Sequence, residues 1–229
     1  MNNQHPHIII EKGVEYHLGV LVENTIQYDF QKMLLYLDHK GKMLFGKNFR
    51  IYEEDEVILY KLCIYFIRDF EACAKQHIDP NKGILLSGPV GCGKTTLMKL
   101  LRHIVPHHKA YEVIPARNIT FSFNNLGFKT IEEYGNDGYY CFDDLGVEPA
   151  GRHFGKDCNV LGEIILSRYD LFTKTNSQWP TANNQRKTHA TTNLNAEELE
   201  ERYGNRVRSR MREMFNLISF DANSNDKRK

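Results

Sequence analysis

The chain carries almost no surplus of charge: 30 Lys and Arg stand against 29 Asp and Glu, a formal net charge of +1. Whole-molecule attraction to nucleic acid or to an anionic membrane is therefore excluded, and any basic binding surface has to be local. Long apolar runs are also missing. The opening stretch MNNQHPHIIIEKG has no extended greasy core of a secretory signal, and the longest apolar segment, Val57 to Phe70, is interrupted by Lys61, Arg68 and Asp69. A soluble, cytoplasmic protein without membrane contact is expected. Cysteine is sparse and scattered. Cys63, Cys73, Cys92, Cys141 and Cys158 form no C-x-x-C pair, which argues against a zinc site or a disulfide framework. His103, His107 and His108 lack a carboxylate or cysteine at ligand spacing and read as a helix end and loop. No internal repeat is visible.

What is present is a core. At 229 residues and 41% apolar composition the chain is long enough for one sizeable domain with an appendage. Strand character at Ile8 to Ile10 and Leu18 to Val22 precedes Phe30, Met33, Leu34 and Leu37, whose spacing places them on one helical stripe. That stripe is either core or a partner-binding face. Lys40 to Arg50, with two glycines and four basic residues, reads as a linker, and a helix is expected from Glu54 to Ala74. Beyond the turn cluster Asp79-Pro80-Asn81, short apolar runs alternate with helices. Strands are expected at Ile84–Leu86, Tyr111–Ile114, Tyr139–Phe142, His189–Thr192 and Phe215–Phe220, and helices at Thr95–Ile104, Val160–Thr173 and Ala196–Tyr203. Such alternation predicts an α/β fold with a mostly parallel sheet covered on both faces. The terminal NSNDKRK reads as disordered.

One motif carries specific chemistry. Gly88-Pro-Val-Gly91-Cys92-Gly93-Lys94-Thr95-Thr96 fits G-x-x-x-x-G-K-[ST] between a strand and a helix. Glycines let successive backbone N–H groups face an anion, and the positive end of the following helix adds to the field. Lys94 is placed to reach the β- and γ-phosphates of ATP, and the Thr95 hydroxyl to bind Mg²⁺. Hydrolysis needs a second acidic element. Tyr139-Tyr-Cys-Phe-Asp143-Asp144 provides it, with Asp143 as the magnesium residue and Asp144 as the base that polarises water. Asn193, at the end of His189-Ala-Thr-Thr-Asn, could hydrogen-bond the γ-phosphate and the attacking water, or could serve as a turn or cap. Arg206-Val-Arg208-Ser-Arg210-Met-Arg212 is either a solvated or nucleic-acid-facing run, or it supplies an arginine to a neighbouring subunit's ATP.

Together GPVGCGKT, YYCFDDLG, THATTNL and ERYGNRVRSRMRE resemble the AAA+ superfamily, within it the group of DnaC-type helicase loaders and IstB transposition helpers, over about residues 40 to 220. The resemblance implies a P-loop NTPase three-layer sandwich: an N-terminal extension at 1–39, an AAA+ core without C-terminal lid at 40–220 and a tail at 221–229. It implies that Arg210, or else Arg206, acts in trans in a homo-oligomer with composite ATP sites. It also places adenine near Leu44, Phe45 and Gly46. The segment RNITFSFNNLGFK, from Arg117 through Phe128 to Lys129, corresponds to the region associated with single-stranded DNA, although a buried strand with alternating Phe residues explains Phe121 and Phe123 equally well. Asp144 stands where many AAA+ proteins have Glu, so slow hydrolysis is expected. The partner is a replicative helicase or a transposase. Two other classes stay open: a small-molecule kinase with Arg152 and Arg168 as candidate lid arginines, and a nucleotide-holding module without turnover.

Overall fold

The computed structural model describes residues 5–136, 138–177 and 188–228; Met1 to Gln4 of the expected extension and Lys229 of the expected tail lie outside them. Two compact units emerge, Met1–Ile78 with Thr96–Ala110, and Asp79–Thr95 with Tyr111–Lys229. The boundary expected at residue 40 falls instead inside a helix of the first unit.

The first unit opens with two antiparallel hairpins, β1 (Ile8–Glu11) with β2 (Val14–His17), and β3 (Gly19–Val22) with β4 (Thr25–Tyr28). Each turns on two residues of positive φ, Lys12-Gly13 and Glu23-Asn24, as a two-residue hairpin loop demands. Helix α1 (Phe30–Phe45) starts where the Asp29 carboxylate accepts the Lys32 N–H, and buries Met33, Leu34 and Leu37 as the stripe predicts. It runs through what reads as a linker and stops only at Gly46, at φ 102. The reason is tertiary: Lys40 is buried against Glu11, whose carboxylate also accepts the Tyr36 hydroxyl, so this basic residue belongs to a packed face. The single helix expected from Glu54 is divided into a 3₁₀ turn, α2 (Glu56–Phe66) and α3 (Phe70–Lys75). Arg68 adopts φ 59, and the Asp69 side chain restarts the chain as a cap on the Ala72 N–H.

The second unit is built on β5 (Gly83–Ser87), β6 (Glu112–Pro115), β7 (Tyr140–Asp143), β10 (Thr188–Thr192) and β11 (Phe215–Ser219), in the order β11-β5-β10-β7-β6 and parallel throughout. Helix α4 (Lys94–Leu101) follows β5. The central strands are buried along their length, as a sheet covered on both faces requires. Helices α5 (Ala116–Leu126) and α6 (Phe128–Gly135) connect β6 to β7, α7 (Val160–Ser177) leads into β10, and α8 (Ala196–Tyr203) and α9 (Asn205–Met214) lead into β11. Ile119, Phe123, Phe142, Ile164 and Met211 pack in its core. The buried-strand alternative for Arg117 to Lys129 is overturned: the segment is helical, with Phe123 buried and Phe121 and Phe128 exposed. Between β7 and α7 lies a hairpin, β8 (Gly151–His153) with β9 (Lys156–Cys158), that periodicity does not reveal. Among the described residues no helix is long and apolar enough to cross a membrane.

Candidate functional site

The strand order decides what can meet at the carboxyl ends of the strands. β10 lies between β5, which feeds the glycine loop, and β7, which carries the acidic pair. A side chain at the end of β10 therefore sits between the loop and the acids, and Thr191 is that side chain. Asp143 Oδ1 accepts a hydrogen bond from Thr95 Oγ1 at 2.7 Å and another from Thr191 Oγ1 at 2.7 Å. Thr191 Oγ1 in turn accepts the Asp144 N–H at 2.9 Å. Asp143 is buried, so its lone pairs have to be met by protein donors or by a cation. The expected pair of magnesium residues, Thr95 and Asp143, is thus within contact distance, and sequence reasoning missed Thr191, which links Asp143 to the Asp144 N–H. The only sequence signal for it is a hydroxyl inside an otherwise buried strand.

The glycine loop has the expected form. Gly91 and Gly93 take φ 86 and 104, values that exact a steric penalty from any residue with a Cβ. Lys94 is buried at the start of α4, and its ammonium donates to the carbonyls of Gly88 and Pro89 at 2.8 and 2.9 Å. Cys92 is buried with its sulfur against Gly88, while Thr96 is half-buried one residue beyond Thr95. Backbone N–H groups of a glycine loop, an ammonium at its base and a hydroxyl–carboxylate pair are donors suited to a magnesium-bound polyphosphate.

The turn after β7 is held from both sides. Asp144 adopts φ 54 and is exposed, the first residue past the strand, while the Leu145 N–H is received by Thr191 O and the Leu145 carbonyl receives Thr192 Oγ1. Glu148, almost completely buried, accepts the Gly146 N–H on one oxygen and the Tyr203 hydroxyl on the other, with Arg202 beside it at 3.3 Å. Burial and this carboxylate push the Tyr203 hydroxyl well above its ordinary range. The acidic turn is thereby tied to the end of α8, immediately before the arginine helix α9. Asn193 stands at the end of β10 with its Oδ1 buried and without a hydrogen-bond partner, a group whose desolvation is uncompensated within the described residues. A buried, unpaired amide oxygen at this place fits a site that receives a polar ligand.

The other expected residues separate. Arg210 lies over the Tyr169 ring at 4.4 Å and pairs with Glu213, while Arg206 is exposed on α9. Arg208 is buried, with its Nε on the Ala196 carbonyl, and Arg212 pairs with Glu200. Arg117, Phe128 and Lys129 are exposed on α5 and α6. Phe45 and Gly46 belong to the first unit, at the end and cap of α1.

Of the residues after Phe220, expected to be disordered, Lys227 is hydrogen-bonded to the glycine loop. The Lys227 N–H donates to Gly91 O at 3.1 Å, its ammonium to Cys92 O at 3.0 Å, and the Asp226 carboxylate packs on Gly91 where a Cβ would stand. The loop's carbonyls supply acceptors that composition cannot reveal. The buried histidine His189 has a structural role. Its Nδ1 accepts the Ile84 N–H, and burial together with nearby Arg168 pushes its pKa down to about 3.

No protein-family model matches the sequence, and no curated protein matches it. The structure is similar to the crystal structure of the DnaC helicase loader, at 19% identity over 76% of this chain and 94% of that chain, with a TM-score of 0.51. Weaker likenesses are to a putative primosome component from Streptococcus pyogenes serotype M3 (19% identity, 70% of this chain and 82% of that one, TM-score 0.45) and to AMPPCP-bound DnaA from Aquifex aeolicus (16%, 76% and 49%, TM-score 0.46). The DnaC likeness carries the fold alone, an α/β P-loop NTPase architecture around a five-stranded parallel sheet. The two lower scores add nothing to it.

Proposed function

We propose that this chain is an AAA+ ATPase acting on DNA, of the kind that places a replicative helicase on a single strand. The observation that carries the reading is the sharing of Asp143 Oδ1 between Thr95 and Thr191 beside the buried Lys94. A carboxylate and a hydroxyl so placed are the two groups needed to hold Mg²⁺, which would neutralise charge on the β- and γ-phosphates of ATP.

In this reading Lys94 exchanges its loop carbonyls for phosphate oxygens, and the N–H groups from Gly88 to Thr96, Cys92 included, cradle the chain of phosphates. Thr95 Oγ1 and Asp143 would hold the metal, which would supply charge neutralisation at the phosphates. Asp144, just past the strand and with its N–H on Thr191 Oγ1, accepts a proton from the attacking water. Asn193 orients that water with the amide oxygen that the fold leaves unpaired. Arg210, or Arg206, completes the site of a neighbouring copy, so that turnover rises with assembly. Arg117, Phe128 and Lys129 meet single-stranded DNA by stacking and charge.

A small-molecule kinase is disfavoured by the places of its candidate arginines. Arg168 is buried, donating to Thr188 Oγ1 and to the carbonyls of Asn136 and Gly138, so it is a structural strut. Arg152 sits on a surface hairpin beside Asp157. The deciding measurement is the rate of phosphate release from ATP over a series of protein concentrations, with and without oligothymidylate. A rate that rises with both supports the proposal, and ATP binding without any release at all concentrations overturns it. Co-purification with a transposase in place of a helicase would reassign the partner while leaving the ATPase intact.

A further inference from the structure

The glycine loop has two faces. Gly91 and Gly93 take positive φ while Cys92 between them does not, an alternation that turns successive N–H groups to one concave side where an anion fits. A trans peptide points its carbonyl opposite to its N–H, so the carbonyls of the same peptides are turned to the back. Those carbonyls are taken by the segment that follows β11.

The Phe220 N–H donates to Ser87 O at 2.8 Å, and the Phe220 side chain packs on Gly88, leaving no room there for a Cβ. Asp221 then closes a turn, its carboxylate accepting the Asn223 N–H at 2.8 Å and its carbonyl the Ser224 N–H at 3.0 Å. Beyond the turn, Lys227 meets two consecutive carbonyls of the loop, Gly91 O through its N–H at 3.1 Å and Cys92 O through its ammonium at 3.0 Å. The same ammonium lies 5.3 Å from the centre of the Phe220 ring, which closes the strap on itself. Lys94 takes the carbonyls of Gly88 and Pro89. Two lysines thus hold four carbonyls of one loop, and Lys227 lies far outside the motif.

We propose that Lys227 is a positioning residue for the polyphosphate of ATP: from the back of the loop it fixes the Gly91 and Cys92 carbonyls and so aims the Cys92 and Gly93 N–H groups at the phosphates. A peptide whose carbonyl accepts from an ammonium is a stronger donor at its N–H, because hydrogen bonds in series polarise one another and a charged donor does so more. A strap that plugged the site would instead offer its own carboxylate to those N–H groups. The Asp226 Oδ1 that lies against Gly91 accepts the Arg228 N–H at 3.0 Å, a bond within its own turn. The inference rests on the ATP-binding reading above and adds to it a group that no phosphate-loop motif contains.

The test is a fluorescence titration of the full chain with methylanthraniloyl-ATP and Mg²⁺. Lys227→Met keeps the length of the side chain and the backbone N–H but removes the ammonium, and its Kd should rise about three- to tenfold. Lys227→Arg still donates with a charge and should restore wild-type affinity. Inorganic tripolyphosphate should displace the label less well from Lys227→Met by the same factor, since the brace acts at the phosphates and not at the base. If wild type does not bind the label, the ATP reading fails and the brace with it. If wild type binds and Lys227→Met matches it, the brace alone is overturned. Weakening that Lys227→Arg does not rescue assigns the effect to packing of the tail and also overturns it. Tighter binding by Lys227→Met overturns it too, and makes the strap a competitor of the nucleotide.

Discussion

Thr95 and Asp143 lie 48 residues apart in the chain, yet the threonine hydroxyl donates to the aspartate carboxylate at 2.7 Å, and Thr191 donates to the same oxygen. Three strands are needed to make this contact, since β10 brings Thr191 between the other two. The expectations below start from it.

Thr191→Val keeps the shape of the side chain but removes a buried hydroxyl that serves both Asp143 and the Asp144 N–H. A loss of about 1–3 kcal/mol in urea unfolding is expected, together with a higher Mg²⁺ requirement for phosphate release. Thr191→Ser should restore both, and a valine variant as stable and as active as wild type would remove Thr191 from the site.

Asp144→Asn separates holding from turnover. Retained ATP affinity is expected with phosphate release lowered by about a hundredfold or more, the worth of a positioned base. Equal rates for variant and wild type would assign the base elsewhere.

Arg210 pairs with Glu213 and covers Tyr169 within its own chain, so a trans role requires it to leave these partners on assembly. Arg210→Ala should bind ATP normally and lose about a thousandfold or more in rate. Mixing it with Asp144→Asn should recover part of the activity, since one mixed interface then holds both an intact base and an intact arginine. Absence of recovery at every mixing ratio argues for self-contained sites.

Glu148→Ala strands the Tyr203 hydroxyl and the Gly146 N–H inside the protein. Destabilisation of about 3 kcal/mol is expected from breaking a buried charged hub, read as a lower denaturant midpoint. A shift within error of zero would show that water replaces the carboxylate at no cost.

Acid should weaken the fold through His189. Its pKa is lowered by burial from an ordinary 6.5 to about 3, so the folded chain holds it neutral. Between those values the unfolded chain binds the extra proton. Stability is therefore fully present above pH 6.5 and is lost as pH falls towards 3, by about 1.4 kcal/mol per pH unit once well below 6.5. Urea midpoints at pH 7 and pH 5 measure this, and His189→Asn, which keeps an acceptor for the Ile84 N–H, should flatten the dependence.

The glycine loop and the acidic strand end were legible because each is a local pattern of residue types with a local conformational consequence. Legibility failed where distant packing chose between conformations. Lys40 looked like part of a linker until Glu11 paired with it inside α1. Phe121 and Phe123, two apart, suggested a strand, yet they belong to a helix, and of the two Phe123 alone meets the core. Arg168 read as a candidate lid arginine, and only the fold places Asn136 and Gly138 carbonyls around it.

By itself the sequence determined which segments curl around an anion, which are buried strands, and where carboxylates end a strand, since these follow from dihedral preference and hydrophobic period along a few consecutive residues. Tertiary structure alone decided the strand order, and with it the place of Thr191, the unpaired amide oxygen of Asn193, the exposure of Phe154 and the contacts of Asp226 and Lys227 with the glycine loop. Those are relations between residues remote in the chain, and their energies come from burial and from satisfying polar groups that no local window contains.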